Sequence, residues 1–338
     1  MAKIGIIACG GMGAHHSRTM SKIDAAQIVA CADVNEEART KLAEAHNIPN
    51  VFADYNDLLK LDEVDAVFVC LPTFLHRDAV VAAAKAGKDI FCEKPISMSL
   101  DHAQEMIDVC KENGVKLMIG FVRRFDNSWG KLRELIQSGI IGRPVLWRQC
   151  TASGGPASPW FLDAEKGGGP LIDGAVHNHD FNRSMFGEAE LAMGSMKTFK
   201  SDSTSLDTGT GLVRFRSGDE VMLSWSWGLP KGCTAQSLND VLGPKGTILF
   251  NAPADKFPEG TSPQTHGGYT VNFGDGESRV EVYEKNDMFL EELRHFIDCV
   301  DNDKEPKVTG VNGKRALEIG LAILESSRTG QSVAIKAD

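Results

Sequence analysis

The 338-residue sequence has no apolar run of membrane-spanning length, no CxxC pair and no Cys/His cluster at zinc-binding spacing. It lacks internal repeats and low-complexity linkers, which excludes a solenoid or a fibrous chain. It also lacks an excess of positive charge. Thirty-six Lys and Arg against 46 Asp and Glu leave a net charge of −10, which argues against a generic binder of nucleic-acid phosphates. The N-terminal MAKIGIIACGG is too brief for a signal h-region, so no membrane and no export is expected. The eight cysteines are scattered, and Cys9, Cys31, Cys70 and Cys92 sit in or beside short apolar runs as small core hydrophobes do. That usage fits free thiols in a reducing cytoplasm. At 42% hydrophobic and 24% charged, the chain is an ordinary folded mixture, and its length suggests about two domains.

Over the first 120 residues, short apolar runs alternate with helical patterns. IGIIA (4–8), IVACAD (28–33), AVFVCL (66–71), DIFC (89–92) and KLMIG (116–120) read as strands. EEARTKLAEAH (36–46), RDAVVAAAKAG (77–87) and SLDHAQEMIDVCKENG (99–114) read as helices, the last capped by Ser99. Strands apolar throughout, with helices between them, predict a parallel sheet covered on both faces. After about residue 122 the pattern changes. A helix over 127–139 leads into runs of period-two character (GLVRFRSG, EVMLSWSWG, GTILF, YTVNF, RVEVYEK), which predict a largely antiparallel sheet. Two amphipathic helices, 287–301 and 312–330, close the chain. The fold class is therefore α/β, with an N-terminal dinucleotide-binding domain over 1–122 and a C-terminal α+β domain over 123–338.

The first strand runs into Ala8-Cys9-Gly10-Gly11-Met12-Gly13 and then a helical pattern. Pyrophosphate needs such a turn, free of side-chain bulk, so that backbone N–H groups and the positive end of a helix reach its oxygens. Ala8 stands where the fingerprint has its first glycine, and its Cβ is tolerated only in a backbone conformation open to L-residues. Asp33, 20 residues beyond Gly13 at the end of the second strand, can accept from the ribose hydroxyls and repels a 2′-phosphate. Val34 and Asn35 add no cation, so NAD is expected over NADP.

FCEKP puts Glu93 and Lys94 at the carboxyl end of DIFC, where open α/β sheets hold their ligands. Together with the glycine turn, LPTFLH (71–76), GFVRRFD (120–126) and GGGPLIDGAVHNHD (167–180), this resembles the Gfo/Idh/MocA oxidoreductase family along essentially the whole chain. GFVRRFD and IIGRPV look most like its inositol dehydrogenase branch, and WFLDAEKGGG (160–169) is shared with many sugar dehydrogenases. The resemblance implies a Rossmann domain, a second domain whose open sheet often mediates a homodimer or homotetramer, and a small polyol or sugar as substrate. It implies that Lys94 lies beside nicotinamide and substrate, that Gly10, Gly11, Met12, Gly13, Asp33, Val34, Leu71, Thr73, His76, Glu93 and Arg123 line the cofactor, and that Asp173 and His177 complete the catalytic group. Arg123 and Asp180 are implied as substrate contacts. Asn178 stands where relatives often carry an acid. No metal is used.

Asp173, His177 and Asp180 are spaced i, i+4 and i+7, so a helix starting near Asp173 would show all three on one face. Oxidising a secondary alcohol needs a base at the oxygen while hydride leaves carbon. An ordinary histidine titrates at about 6.5, near neutrality, whereas lysine at about 10.4 would need its pKa lowered. His177 is thus taken as base, Lys94 as the donor that stabilises the alkoxide and Asp173 as orienting group; the reverse assignment of Lys94 and His177 stays open. Trp225 and Trp227, two apart, suggest one packed face of a strand, and Trp160 serves either as a sugar cover or as a loop anchor. The competing readings are a glycosidase or eliminase using NAD transiently, and a nucleotide-dependent sugar sensor without catalysis. The stereochemistry of the substrate is not encoded in any motif.

Overall fold

The computed structural model describes residues 1–336. The first sheet has six parallel strands: β1 (Ala2–Ile7), β2 (Ala26–Ala32), β3 (Asn50–Phe52), β4 (Ala66–Val69), β5 (Asp89–Cys92) and β6 (Leu117–Ile119). Their order, β3-β2-β1-β4-β5-β6, is that of the Rossmann fold, with the strand order reversing between β1 and β4. The helices α1 (Gly11–Met20), α2 (Glu36–His46), α3 (Tyr55–Leu59), α4 (His76–Lys85) and α5 (Leu100–Glu112) lie between the strands. Helix starts follow their caps: Asn35 accepts from the Ala38 amide at 3.1 Å, and Ser99 from the His102 amide at 3.1 Å. β3 and α3 have no counterpart in the sequence reading, because three and five residues are too few to display a period.

The chain divides into two compact units, one comprising Met1–Val122 with Asp287–Leu317, the other comprising Arg123–Asn286 with the chain from Glu318 on. The expected second segment, 123–338, is thus not one body. The reason is apolar packing by α8 (Met288–Asp301). Phe68 of β4 stacks on Phe91 of β5 at 4.7 Å, and Phe296 of α8 sets its ring edge against both, at 5.4 and 5.7 Å. All three are fully buried, each contributing about 1.5–3 kcal/mol of burial, so α8 belongs to the first core. The final helix, α9 (Gly310–Thr329), begins in the first unit and ends in the second.

In the second unit, α6 (Asn127–Gln137) and α7 (Val176–Phe186) accompany a nine-stranded sheet. Its strands are β7 (Leu146–Ala152), β8 (Ala189–Lys197), β9 (Thr208–Phe215), β10 (Glu220–Ser226), β11 (Leu238–Gly243), β12 (Gly246–Leu249), β13 (His266–Phe273), β14 (Ser278–Glu284) and β15 (Val333–Ala334), in the order β14-β13-β12-β11-β7-β10-β9-β8-β15. Among the described residues of this sheet, only β7 and β10 pair in parallel. Along β10, buried Val221 and Leu223 alternate with half-buried Glu220, Met222 and Ser224, the mark of a sheet with one covered face. Trp147, wholly buried on β7, packs with Phe250, with Phe181 of α7 and with Trp129 of α6. Two sequence expectations change here. Trp227 lies just past the end of β10, and Asp173 precedes α7 in a separate π-helical turn, Pro170–Gly174.

Ala8 does not take an ordinary L-residue conformation: its φ is +74°. A left-handed alanine costs about 1–2 kcal/mol, part of which a glycine recovers after its larger unfolded-state entropy is counted. Ala8→Gly should therefore raise stability by about 1 kcal/mol in denaturant unfolding; a loss of stability would show that this backbone is not strained.

Candidate active site

The glycine turn follows directly from β1. Gly10 is the residue before α1, with no side chain capping the helix and no acid in its first turn. A Cβ at Gly10 or Gly11 would meet nothing within 4 Å, whereas one at Gly13 would fall 2.0 Å from the Ala8 carbonyl oxygen. The glycines thus do two different things. Gly13 lets α1 close onto the turn, while Gly10 and Gly11 keep clear the space over the uncapped amides. Met12 is exposed at the same rim. Asp33 fastens this turn to the next: Oδ2 accepts from the Cys9 amide at 2.7 Å and Oδ1 from the Asn35 amide at 2.8 Å. Val34 is 90% exposed beside it. Arg39, the first cation beyond Asp33, donates instead to the carbonyls of Asp33 and Val34. A bare, donor-rich cradle next to an anchored carboxylate suits the pyrophosphate and ribose of NAD.

Glu93 and Lys94 leave the end of β5. Glu93 is buried, with Oε1 2.6 Å from Nε2 of His16 and Oε2 accepting the Lys94 amide at 3.2 Å. Burial works against its charge, but the hydrogen bond from His16 and the positive charge of Lys94 prevail and hold its pKa below the usual carboxylate range. The Lys94 side chain is half-buried. His76 is enclosed too, its Nδ1 2.8 Å from the Pro95 carbonyl oxygen and its Nε2 2.7 Å from that of Leu71. Both partners are acceptors, so only a doubly protonated ring donates to both. His76, Glu93 and Thr73, expected to line the cofactor, are buried, and Leu71 is half-buried.

In the second unit, three close approaches shape the turn that bears Asp173. Gly167 lies against the backbone of Trp160 and Phe161, and Gly169, with φ +79°, lies against the Leu206 carbonyl. At Gly174 a Cβ would stand 2.8 Å from the Trp227 ring and 3.3 Å from that of Trp225. The two tryptophans thus back this turn. The Asp173 amide donates to the Gly169 carbonyl and the Ala175 amide to that of Pro170, five residues back. Asp173 is 3% exposed, and His177, in the first turn of α7, is half-buried. Single π-helical turns recur at functional sites.

The expected common helical face of Asp173, His177 and Asp180 does not form. Asp180 is wholly buried and held by both forks of Arg124, each at 2.7 Å. Arg123 donates to Asn178 Oδ1 at 2.9 Å, lies 4.5 Å over the Trp129 ring, and has its pKa lowered to about 10 by burial. Asn178 in turn donates to Gln149 at 3.0 Å. Trp160 stacks on Phe161 at 3.8 Å, and Phe161 sets its edge against Trp227, so Trp160 is anchored within its loop. His16, Arg124 and Gln149 were not singled out from the sequence. Only the inward face of α1 could have flagged His16, three residues after Gly13.

Residues 2–121 match the Gfo/Idh/MocA oxidoreductase family with its NAD-binding Rossmann fold, and residues 129–249 match a C-terminal domain of that family. The chain belongs to this family, and so is an NAD-dependent oxidoreductase acting on CH–OH groups. It is 33% identical to the myo-inositol 2-dehydrogenase of Thermotoga maritima, over 99% of this chain and 98% of that one. It is 28% identical to the scyllo-inositol 2-dehydrogenase (NAD(+)) of Bacillus subtilis, over 97% and 94%. Among solved structures, a probable dehydrogenase from Thermotoga maritima superposes with a TM-score of 0.79 at 30% identity, covering 98% of both chains.

Asp33→Ala removes the carboxylate that holds the glycine turn and that would accept from a ribose hydroxyl. NAD affinity should fall about 10-fold or more, in line with about 1.5–3 kcal/mol for a hydrogen bond to a charged group, as read by titration calorimetry. Unchanged affinity would contradict the assignment of Asp33.

Proposed function

We propose that this oxidoreductase is an inositol dehydrogenase, converting a secondary hydroxyl of a cyclic polyol to the ketone, with myo-inositol as first candidate. The observation that carries the reading is the near-full-length similarity to the Thermotoga maritima myo-inositol 2-dehydrogenase. The Bacillus subtilis relative extends it to a second inositol.

The glycine turn and Asp33 would hold NAD, which when bound would accept the hydride that leaves the carbinol carbon. The protein's own groups manage the proton. His177 takes it from the hydroxyl, an act suited to a side chain that is ordinarily half-neutral near pH 6.5. Lys94 donates to the same oxygen and stabilises the negative charge that grows there. Asp173 orients this pair from its wedged turn. Arg123 serves the substrate side with donors left over from its single bond to Asn178. Asp180 acts at one remove, by fixing Arg124. We assign assembly, as a homodimer or homotetramer, to the half-buried face of the nine-stranded sheet. A reducing cytoplasmic setting suits eight free cysteines.

A screen of inositols and aldoses with NAD, following nicotinamide reduction, should give turnover with an inositol. His177→Gln should then lower kcat by about 10²–10⁴-fold and abolish the near-neutral rise of activity with pH, since the base acts only when deprotonated. A variant that keeps that rise would reassign the base to Lys94, and substrate consumption without net NADH would replace a dehydrogenase with a transient-oxidation enzyme.

A further inference from the structure

Glu292 lies on α8 with 1% of its surface exposed, and its Oε1 has no hydrogen-bond partner. Burial raises its pKa well above the carboxylate range, and the charge of Glu93 adds to the rise. A neutral carboxyl carries one O–H and needs an acceptor for it. On α1, which packs on α8, His16 is fully buried and its Nδ1 is likewise unpartnered, while Nε2 engages Glu93. Phe289, one turn before Glu292 on the same helix face, brings its ring to 6.3 Å from that of His16 and 4.4 Å from that of His15. The α8 face that carries Glu292 is therefore the face that meets α1 at the two histidines.

We propose that Glu292 is a positioning residue that donates a hydrogen bond through one enclosed water to Nδ1 of His16, and so aligns the series from His16 through Glu93 to Lys94. The logic is one of donors and acceptors. Glu93, as a carboxylate, only accepts, so the ring nitrogen facing it must carry a proton. A neutral imidazole has one N–H, and a donor aimed at Nδ1 places that proton on Nε2. With Nδ1 left empty, the ring is free to protonate there and turn a lone pair toward Glu93. The carboxylate that holds the Lys94 amide would then lose its partner. A water between the two orphaned atoms would have polar neighbours enough to be retained.

The consequence for turnover rests on the dehydrogenase reading, whereas the contact itself does not. In the full chain labelled with nitrogen-15 at histidine, the His16 ring should show Nε2 protonated and Nδ1 bare. Glu292→Gln, whose amide also donates, should preserve that pattern, and Glu292→Leu should lose it. With NAD and the polyol that the screen selects, Glu292→Leu should lower kcat by about 10- to 100-fold with little change in the KM for NAD, and Glu292→Gln should recover most of it. A protonated Nδ1 in the unsubstituted protein, or identical behaviour of the two variants, would overturn the proposal. Should the leucine variant fail to fold, the ring spectra of the parent and of Glu292→Gln decide. Absence of polyol turnover would sink the dehydrogenase reading alone and leave the spectral test intact.

Discussion

A negative charge withdrawn from water must be paired, and Glu93 is the buried charge around which the first unit is organised. Its carboxylate sits at the carboxyl end of β5 and takes one bond from α1, through His16, and one from its own neighbour, the Lys94 amide. Those two bonds tie the helix of the nucleotide turn to the segment that carries the lysine. Phe68, Phe91 and Phe296 close over this region with apolar contacts, and α8 is drawn in by the same packing. A polar knot inside an apolar shell is costly unless it is fully partnered, and that cost makes its geometry specific.

The second unit reaches rigidity by other means. The turn that carries Asp173 is held by close approach: glycines wedged against backbone and against Trp225 and Trp227. Beyond it, α7 is pinned by Arg124 to Asp180 and by the series Arg123, Asn178 and Gln149. The Glu93 region of the first unit is thus set by buried electrostatics, and the Asp173 turn of the second by steric fit plus ion pairing.

Much of this was legible in the sequence, for identifiable reasons. The parallel sheet was visible because its strands are buried on both faces and read as unbroken apolar runs, and α5 because a full-length helical pattern follows a good cap at Ser99. The glycine turn with Asp33 was visible because phosphate chemistry leaves few alternatives. What escaped was set by contacts remote in sequence. β3 and α3 were too short to show a period, and α8 joins the first core through Phe296, which its own helical pattern could not announce. The i, i+4, i+7 spacing suggested one helix through Asp173, but three preceding glycines and Pro170 support a wider turn that ends at Gly174. The capture of Asp180 by Arg124, 56 residues away, has no local signature. Nor has the burial of Glu93, His76 and Thr73.

The account stands or falls on whether the lysine of the first unit and the histidine of the second serve the same oxygen. A crystal structure of the chain with NADH and an inositol tests this most directly. The account predicts one ring hydroxyl within hydrogen-bond distance of both Lys94 Nζ and a nitrogen of His177, with its carbon facing the nicotinamide. An inositol bound with that hydroxyl touching neither group, or NADH seated away from Gly10 and Asp33, would contradict it.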